Sequence, residues 1–204
     1  DLLIKLFPQV TELLSARARL LQVKLPAQIQ GVLIIENQDT FVRACLGKLA
    51  GAENLAIVYG AGFRVAAEYL REPGRILFGY VSDAANSSQP RQSISLDAAV
   101  REQFEARWFN TAASWPVYFF GDLDYSGMAI LASLRKQFPA AEAWQPGYST
   151  LLQQLQKGGG HSAEQSGKTM QKVVSQTGCS YTDSVLIPAL QQTSRFMDQE
   201  FQPA

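Results

Sequence analysis

Short apolar runs and longer amphipathic segments alternate along most of this chain. The apolar runs predict buried β-strands over residues 31–35, 55–59, 76–81, 117–120 and 140–144. Segments in which apolar residues recur at helical spacing predict helices over residues 40–49, 63–70, 96–109 and 127–138. Several of these strands are followed by a turn and a helix, which is typical of α/β folds. We therefore expect a parallel sheet flanked by helices.

The two ends of the chain carry helical patterns outside this repeat. Residues 9–25 place apolar side chains at helical spacing, which predicts an amphipathic helix. Toward the other end, residues 149–156 predict a helix that follows a turn at residues 146–148, and residues 157–167 contain Gly and Ser and predict a loop. Residues 82–95 lack apolar periodicity and predict a second, exposed loop.

These patterns divide the chain into three parts. They are an N-terminal helical segment over residues 1–27, a central α/β domain over residues 28–150 and a helical C-terminal extension over residues 151–204. A chain of 204 residues of which 47% are hydrophobic can bury one substantial core. Because the first residue is Asp rather than Met and lies beside an apolar stretch, we expect this chain to be part of a longer protein.

Acidic residues follow two of the predicted strands at the point where each strand ends. Asp122 and Asp124 come after the run at residues 117–120, and Glu36 comes directly after residues 31–35. The carboxyl ends of parallel strands meet at the edge of the sheet where α/β folds bind ligands, so we expect these carboxylates to converge. Closely spaced carboxylates favour Mg²⁺ or Mn²⁺ over zinc. The structural alternative is that each acid caps a helix or lies at a solvated strand end.

The same residues carry a resemblance to a known family. The strand that ends in Glu36 and the strand that ends in Asp122 and Asp124, with a Gly-rich turn between them, resemble a Toprim domain. The chain is also similar to the C-terminal domain of the JetD family, the nuclease subunits of Wadjet plasmid-defence systems, whose Toprim domain resembles that of type IIB topoisomerase A subunits. The stretches that carry the similarity are residues 35–41, 60–62, 121–130 and 198–200.

The resemblance implies a function for the central domain. It implies a Toprim-like sheet that hydrolyses DNA phosphodiester bonds with Mg²⁺ or Mn²⁺, with Glu36, Asp122 and Asp124 as catalytic residues and metal ligands. By the same resemblance Glu200 is a further metal ligand. The implied partners are DNA, in the form of closed circular plasmid, the SMC-like subunits of the defence complex, and a second copy of the protein joined through a preceding N-terminal region. The implied location is the cytoplasm.

Two other functions compete with a nuclease. In the first, a Toprim-like scaffold without catalysis keeps the acids as caps and assembles with defence subunits; weak or absent metal binding by Glu36, Asp122 and Asp124 would distinguish it. In the second, a metal-dependent sugar-nucleotide transferase uses the Asp-x-Asp pair; nucleotide-sugar binding would distinguish it, but it gives Glu36 no role.

Composition and the remaining candidate residues exclude several other chemistries. Lys plus Arg and Asp plus Glu both number 18, so net charge supplies no footprint for nucleic acid. Cys45 and Cys179 predict reduced thiols, and no apolar stretch is long enough to span a membrane. His161, the only histidine, is predicted to be a surface residue, and Lys168 is predicted to be solvated because the Gly-Lys-Thr around it lacks the first Gly of a P-loop.

Overall fold

The computed structural model of this chain describes residues 18–60, 69–81, 93–112 and 115–200. Its strands are β1 (Arg19–Lys24), β2 (Gly31–Ile35), β3 (Leu55–Tyr59), β4 (Ile76–Tyr80), β5 (Val117–Phe120) and β6 (Glu142–Ala143). Its helices are α1 (Gln38–Cys45), α2 (Ser93–Phe109), α3 (Tyr125–Gln137), α4 (Gln145–Gln156) and α5 (Ile187–Thr193), and a π-helical turn at Thr182–Leu186 leads into α5. The strands form one sheet in the order β4-β1-β3-β2-β5-β6.

One side of the sheet is the parallel α/β unit that the apolar runs predict. β2 pairs in parallel with β3 on one side and with β5 on the other, so that Ile35 lies opposite both Tyr59 and Phe120. Every residue of β2 is buried, as expected of a strand covered on both faces. The α/β class is therefore confirmed, although the last predicted strand shrinks to Glu142–Ala143.

The other side of the sheet corrects two predictions. Residues 19–24 form strand β1, so the helix predicted over residues 9–25 is wrong there; the rest of that helix lies outside the described residues. Leu21 and Val23 are buried, while Leu20 before them and Gln22 between them are exposed, which is the two-residue period of a strand. β1 runs antiparallel to β3 and parallel to β4, so the sheet is mixed rather than wholly parallel.

The core continues from the sheet into the later helices. Phe104 and Trp108 on α2 are buried and lie edge-on to Phe78 of β4, and Trp108 also contacts Phe138 beyond α3. Such ring contacts add to the free energy of burying the aromatic surface. The helix predicted at residues 63–70 and the loop predicted at residues 82–95 fall largely outside the described residues.

Helix α4 begins earlier than its sequence predicts. The turn predicted at residues 146–148 is instead the first turn of the helix, because Pro is well tolerated in the first turn. A Cβ built on Gly147 would lie 2.6 Å from the ring of Phe120, so this glycine lets the start of α4 approach the end of β5 closely. The end of β5, which precedes Asp122 and Asp124, is thereby packed against α4.

The C-terminal extension returns to the edge of the sheet where β5 ends. Helix α5 stops at Ser194, which has a left-handed backbone with φ of 52°. The chain then forms antiparallel bridges between Met197 and Leu123 and between Phe196 and His161. Helices thus account for only part of residues 151–204, and the irregular remainder reaches the acidic residues. No helix in the described part of the chain has both the length and the apolar character of a membrane span.

Candidate functional site

The carboxyl ends of β2 and β5 bring the three predicted acids to one cavity. Glu36 donates its backbone N–H to the carbonyl of Phe120 at 3.0 Å, which fixes the two strand ends side by side. A Cβ on Gly121 would lie 2.5 Å from Oε2 of Glu36, so glycine leaves room for this carboxylate in its present position. Glu36, Asp122 and Asp124 all line a cavity of about 600 Å³. The structure therefore brings together the three acids that the sequence predicts at this edge of the sheet.

Asp124 has both a structural and a potential chemical role. Its Oδ1 accepts the backbone N–H of Gly127 at 2.8 Å and caps α3, and its side chain is only 1% exposed. Its Oδ2 accepts hydrogen bonds from Gln171 Nε2 and Lys168 Nζ, both at 2.8 Å. The capping role considered as an alternative is thus present, but it uses only one of the two carboxylate oxygens.

Asp122 is positioned by the returning C-terminal segment. Its Oδ1 accepts the backbone N–H of Gln199 at 2.8 Å, and its Oδ2 lies 3.0 Å from Lys168 Nζ. The bridge between Leu123 and Met197 holds the two segments in this register. The carboxylate is therefore held by a main-chain N–H on one oxygen and by the Lys168 ammonium on the other.

Lys168 is the cation on which the acidic cluster converges. Its Nζ lies 2.8 Å from Asp124, 2.9 Å from Asp198 and 3.0 Å from Asp122, and its side chain is 21% exposed. Burial alone would lower the pKa of Lys168, but its hydrogen bond to Asp124 and the nearby negative charges raise its pKa above the ordinary value of 10.5. The prediction that Lys168 is solvated is wrong.

Asp198 and His161 extend the cluster away from the sheet. Asp198 Oδ1 accepts from Lys168 at 2.9 Å, and its Oδ2 lies 2.9 Å from His161 Nε2. Burial alone would raise the pKa of Asp198, but Lys168 and then His161 lower its pKa by hydrogen bonding and charge. The His161 side chain is 22% exposed and is hydrogen-bonded to Asp198, so the simple surface role predicted for it is wrong.

Glu200 lies beside the cluster rather than in the cavity. Its Oε1 accepts from Asn37 Nδ2 at 2.5 Å, while Asn37 also donates its backbone N–H to Gln199 Oε1 at 3.0 Å and caps α1. In the described part of the chain, Glu200 is not among the residues that line the cavity with Glu36. Asp198, two residues earlier, is the acid of this segment that contacts Lys168. A metal-ligand role for Glu200 stays a prediction.

A buried tyrosine contacts the turn that follows β5. Tyr148 of α4 is fully buried, and its hydroxyl accepts the backbone N–H of Gly121 at 3.1 Å. Burial raises the pKa of Tyr148 well above its ordinary value, so this hydroxyl stays protonated. Its role is to satisfy a buried N–H at the turn that carries Asp122.

The carboxylates of the cavity fit a divalent cation in chemistry but are not arranged as a ligand shell. Across the described residues, no group of three or more His, Cys, Asp or Glu side chains is arranged as a ligand shell. The oxygens of Asp122 and Asp124 nevertheless converge on one cation, the ammonium of Lys168, and carboxylate oxygens are the ligands that Mg²⁺ and Mn²⁺ prefer. The residues thus fit such an ion in chemistry, provided that Lys168 moves aside.

Comparison with known proteins gives one result. The family model described as Wadjet protein JetD, C-terminal, matches residues 96–201, just over half of the chain. The matched region contains Asp122, Asp124, Lys168 and Asp198, and it begins after Glu36. No curated protein and no solved structure matches the chain.

Proposed function

Because the chain belongs to the family of the Wadjet protein JetD C-terminal region, we propose that it is a metal-dependent DNA endonuclease of an anti-plasmid defence system. Membership by itself suggests a Wadjet defence role and implies a complex with other subunits. The finer elements of the proposal are hydrolysis of DNA, closed circular plasmid as substrate and SMC-like subunits as partners. The chemistry of the acidic cavity supports the hydrolysis. The plasmid substrate and the SMC-like partners follow from the family resemblance.

The observation that carries the proposal is the meeting of Glu36, Asp122 and Asp124 in one cavity at the ends of two adjacent parallel strands. Asp122 and Asp124 would hold Mg²⁺ or Mn²⁺, which when bound would supply positive charge for the phosphoryl and leaving oxygens. Glu36 is placed to bind the same ion or to exchange a proton with the attacking water. Glu36 and Asp122 follow strand ends whose positions are fixed by the sheet, and Asp124 is fixed as the cap of α3.

Other groups that line the cavity are suited to contact a phosphate backbone. Ser126 and Ser133 on α3 and Lys172 on the C-terminal extension line it together with the acids. Hydroxyl and ammonium donors of this kind are the usual contacts of proteins to DNA phosphates and carry no sequence information. A substrate strand can therefore be held against the acids without base-specific contacts, which agrees with a chain of zero net charge that relies on partners to deliver DNA.

The test is nicking of supercoiled plasmid in Mg²⁺ or Mn²⁺ by the wild-type chain and by Asp122→Asn. Asn keeps an oxygen for the Gln199 N–H but removes the charge, so we expect a loss of about 100-fold or more in nicking rate with the fold intact. Glu142→Gln, which changes an exposed carboxylate on β6, is the matched control and should nick like the wild type. Equal nicking by wild type and Asp122→Asn, or activity unaffected by chelators, would reject the nuclease.

A non-catalytic scaffold remains the second candidate, and one observation favours it. Lys168 already balances Asp122, Asp124 and Asp198, which is what a purely structural cluster would need. The scaffold predicts no binding of Mn²⁺ in calorimetry and undiminished assembly with defence subunits when Asp122 is replaced. Binding of Mn²⁺ that Asp122→Asn abolishes would exclude it.

A further inference from the structure

We infer that Lys168 is a displaceable resident cation: its ammonium occupies the position between Asp122 and Asp124 that a divalent metal ion would take, and the two exclude each other. This inference rests on the metal site proposed above. It assigns Lys168 a positioning role at the site, since it holds the aspartates together in the absence of metal.

The hydrogen bonds of the two aspartates leave one shared position for a cation. One oxygen of Asp124 is held by the N–H of Gly127 and one oxygen of Asp122 by the N–H of Gln199. The remaining oxygen of each residue contacts Lys168 Nζ, at 2.8 and 3.0 Å, and that of Asp124 also accepts from Gln171 Nε2. An ion ligated by both aspartates through these two oxygens would take the position of the ammonium, so the ion and the ammonium exclude each other there.

The local chain permits the ammonium to leave. Lys168 is anchored through its backbone N–H, which donates to the carbonyl of Ala163 at 2.8 Å, and its four-carbon side chain reaches the acids from that anchor. Lysine side chains are flexible point charges that can be redirected by rotation about their own bonds. The adjoining Met170 is 91% exposed, so no buried contact of that side chain needs to be broken nearby.

Exchange has a consequence for the substrate side of the cavity. Without metal, the ammonium offsets the repulsion between Asp122 and Asp124, which would otherwise favour their separation or protonation. With metal, the ammonium of Lys168 would leave the aspartates but stay in the cavity, which Lys168, Lys172 and Ser126 all line. A second ammonium then becomes available to a phosphate at the moment when the ion is in place.

The first experiment is calorimetric titration of Mn²⁺ into the wild-type chain, Lys168→Met and Lys157→Met. Removal of the competing ammonium should tighten Mn²⁺ binding by about tenfold or more in Lys168→Met. Lys157, just after α4, is exposed and is not among the described residues that line the cavity, so Lys157→Met should bind like the wild type. Equal or weaker binding by Lys168→Met overturns the inference and leaves the metal site standing. No binding by any of the three proteins rejects the metal site itself and the inference with it.

The second experiment uses the wild-type chain alone and does not depend on how a variant folds. Lysine side chains are acetylated with an amine-reactive reagent in the presence and absence of Mn²⁺, and each site is quantified by mass spectrometry. Displacement predicts that modification of Lys168 rises several-fold when Mn²⁺ is bound, while modification of the exposed Lys172 is unchanged. Unchanged modification of Lys168 at a Mn²⁺ concentration that saturates the calorimetric signal overturns the inference.

Discussion

The two sides of the acidic cluster are built from different kinds of backbone. Glu36 and Asp122 follow parallel strands whose ladder hydrogen bonds fix them, and Asp124 follows at the cap of α3. Lys168 and Asp198 lie on irregular chain between α4 and the end of the described residues, where side-chain ion pairs and isolated bridges provide the contacts. The groups proposed to do chemistry therefore lie on the rigid side, which the sheet and α3 hold in place, whereas the balancing charge lies on the side that can adjust.

Asp124→Ala should break the rigid side most severely. The change removes the α3 cap and takes one carboxylate from Lys168, so we expect a loss of about 3 kcal/mol in the free energy of unfolding together with loss of nicking. Urea unfolding and plasmid nicking measure the two effects. Asp124→Asn is the matched variant, because Asn caps helices as well as Asp does; it should recover part of the stability but none of the nicking. Equal destabilisation by both variants would show that the cap contributes little.

Gly121→Ala should distort the rigid side with a smaller effect. The new methyl group meets Glu36 Oε2 and the Phe119 ring, so we expect about 2 kcal/mol of destabilisation and a displaced Glu36 carboxylate. Thermal unfolding and Mn²⁺ affinity would be measured side by side. Gly79→Ala is the control, since its nearest neighbour is the exposed side chain of Leu20 at 3.3 Å, and it should leave Mn²⁺ affinity unchanged. A Gly121→Ala protein with wild-type stability would contradict the close packing at this turn.

Asp198→Asn tests the adjustable side through the pH dependence of stability. The folded-state pKa of Asp198 lies below its ordinary value of 3.8, so its contribution is present above that pH and is lost as the pH falls through the lowered pKa. The wild type should therefore exceed Asp198→Asn in stability at pH 6, and the difference should shrink below pH of about 4. Because Asp198 is half exposed, the difference should stay below about 1 kcal/mol. A difference that grows toward acid pH would contradict this assignment.

Glu200→Gln should have the smallest effect. Gln keeps an oxygen that can accept from Asn37, and the carboxylate it replaces lies outside the cavity that Asp122 lines, so stability should change by less than about 0.5 kcal/mol. Mn²⁺ affinity measured by calorimetry should equal that of the wild type. A clear loss of affinity would instead support the metal-ligand role that the sequence resemblance implies for Glu200.

The strand side of the site could be predicted from the sequence because its signals are local. The apolar runs before Glu36 and Asp122 indicate buried strands, and parallel pairing then places both acids at one edge without further information. The other side could not be predicted in this way. Lys168 meets its carboxylates across 46 and 30 positions of sequence, and no periodic pattern encodes such a contact.

The wrong assignment of residues 19–24 has a different cause. Leu20 and Leu21 fit a helical stripe with the leucines before them, but they also fit a strand in which only alternate residues are buried. Residues 19–24 form a strand rather than a helix because they pair with β3 and β4, whose residues lie more than thirty positions away. Tertiary pairing overrides local propensity in such short segments.

The bridge between Leu123 and Met197 also determines when the cluster can assemble. The Gln199 N–H reaches Asp122 across 77 positions, and Asn37 reaches Gln199 across 162. Contacts of such long sequence separation form late and slow the folding of a domain. During synthesis the sheet can form while residues 196–200 are still within the ribosome, so a nascent chain carries strands with their acids but not the assembled cluster. The acidic cluster can therefore assemble only after residues 196–200 have been synthesised and have left the ribosome.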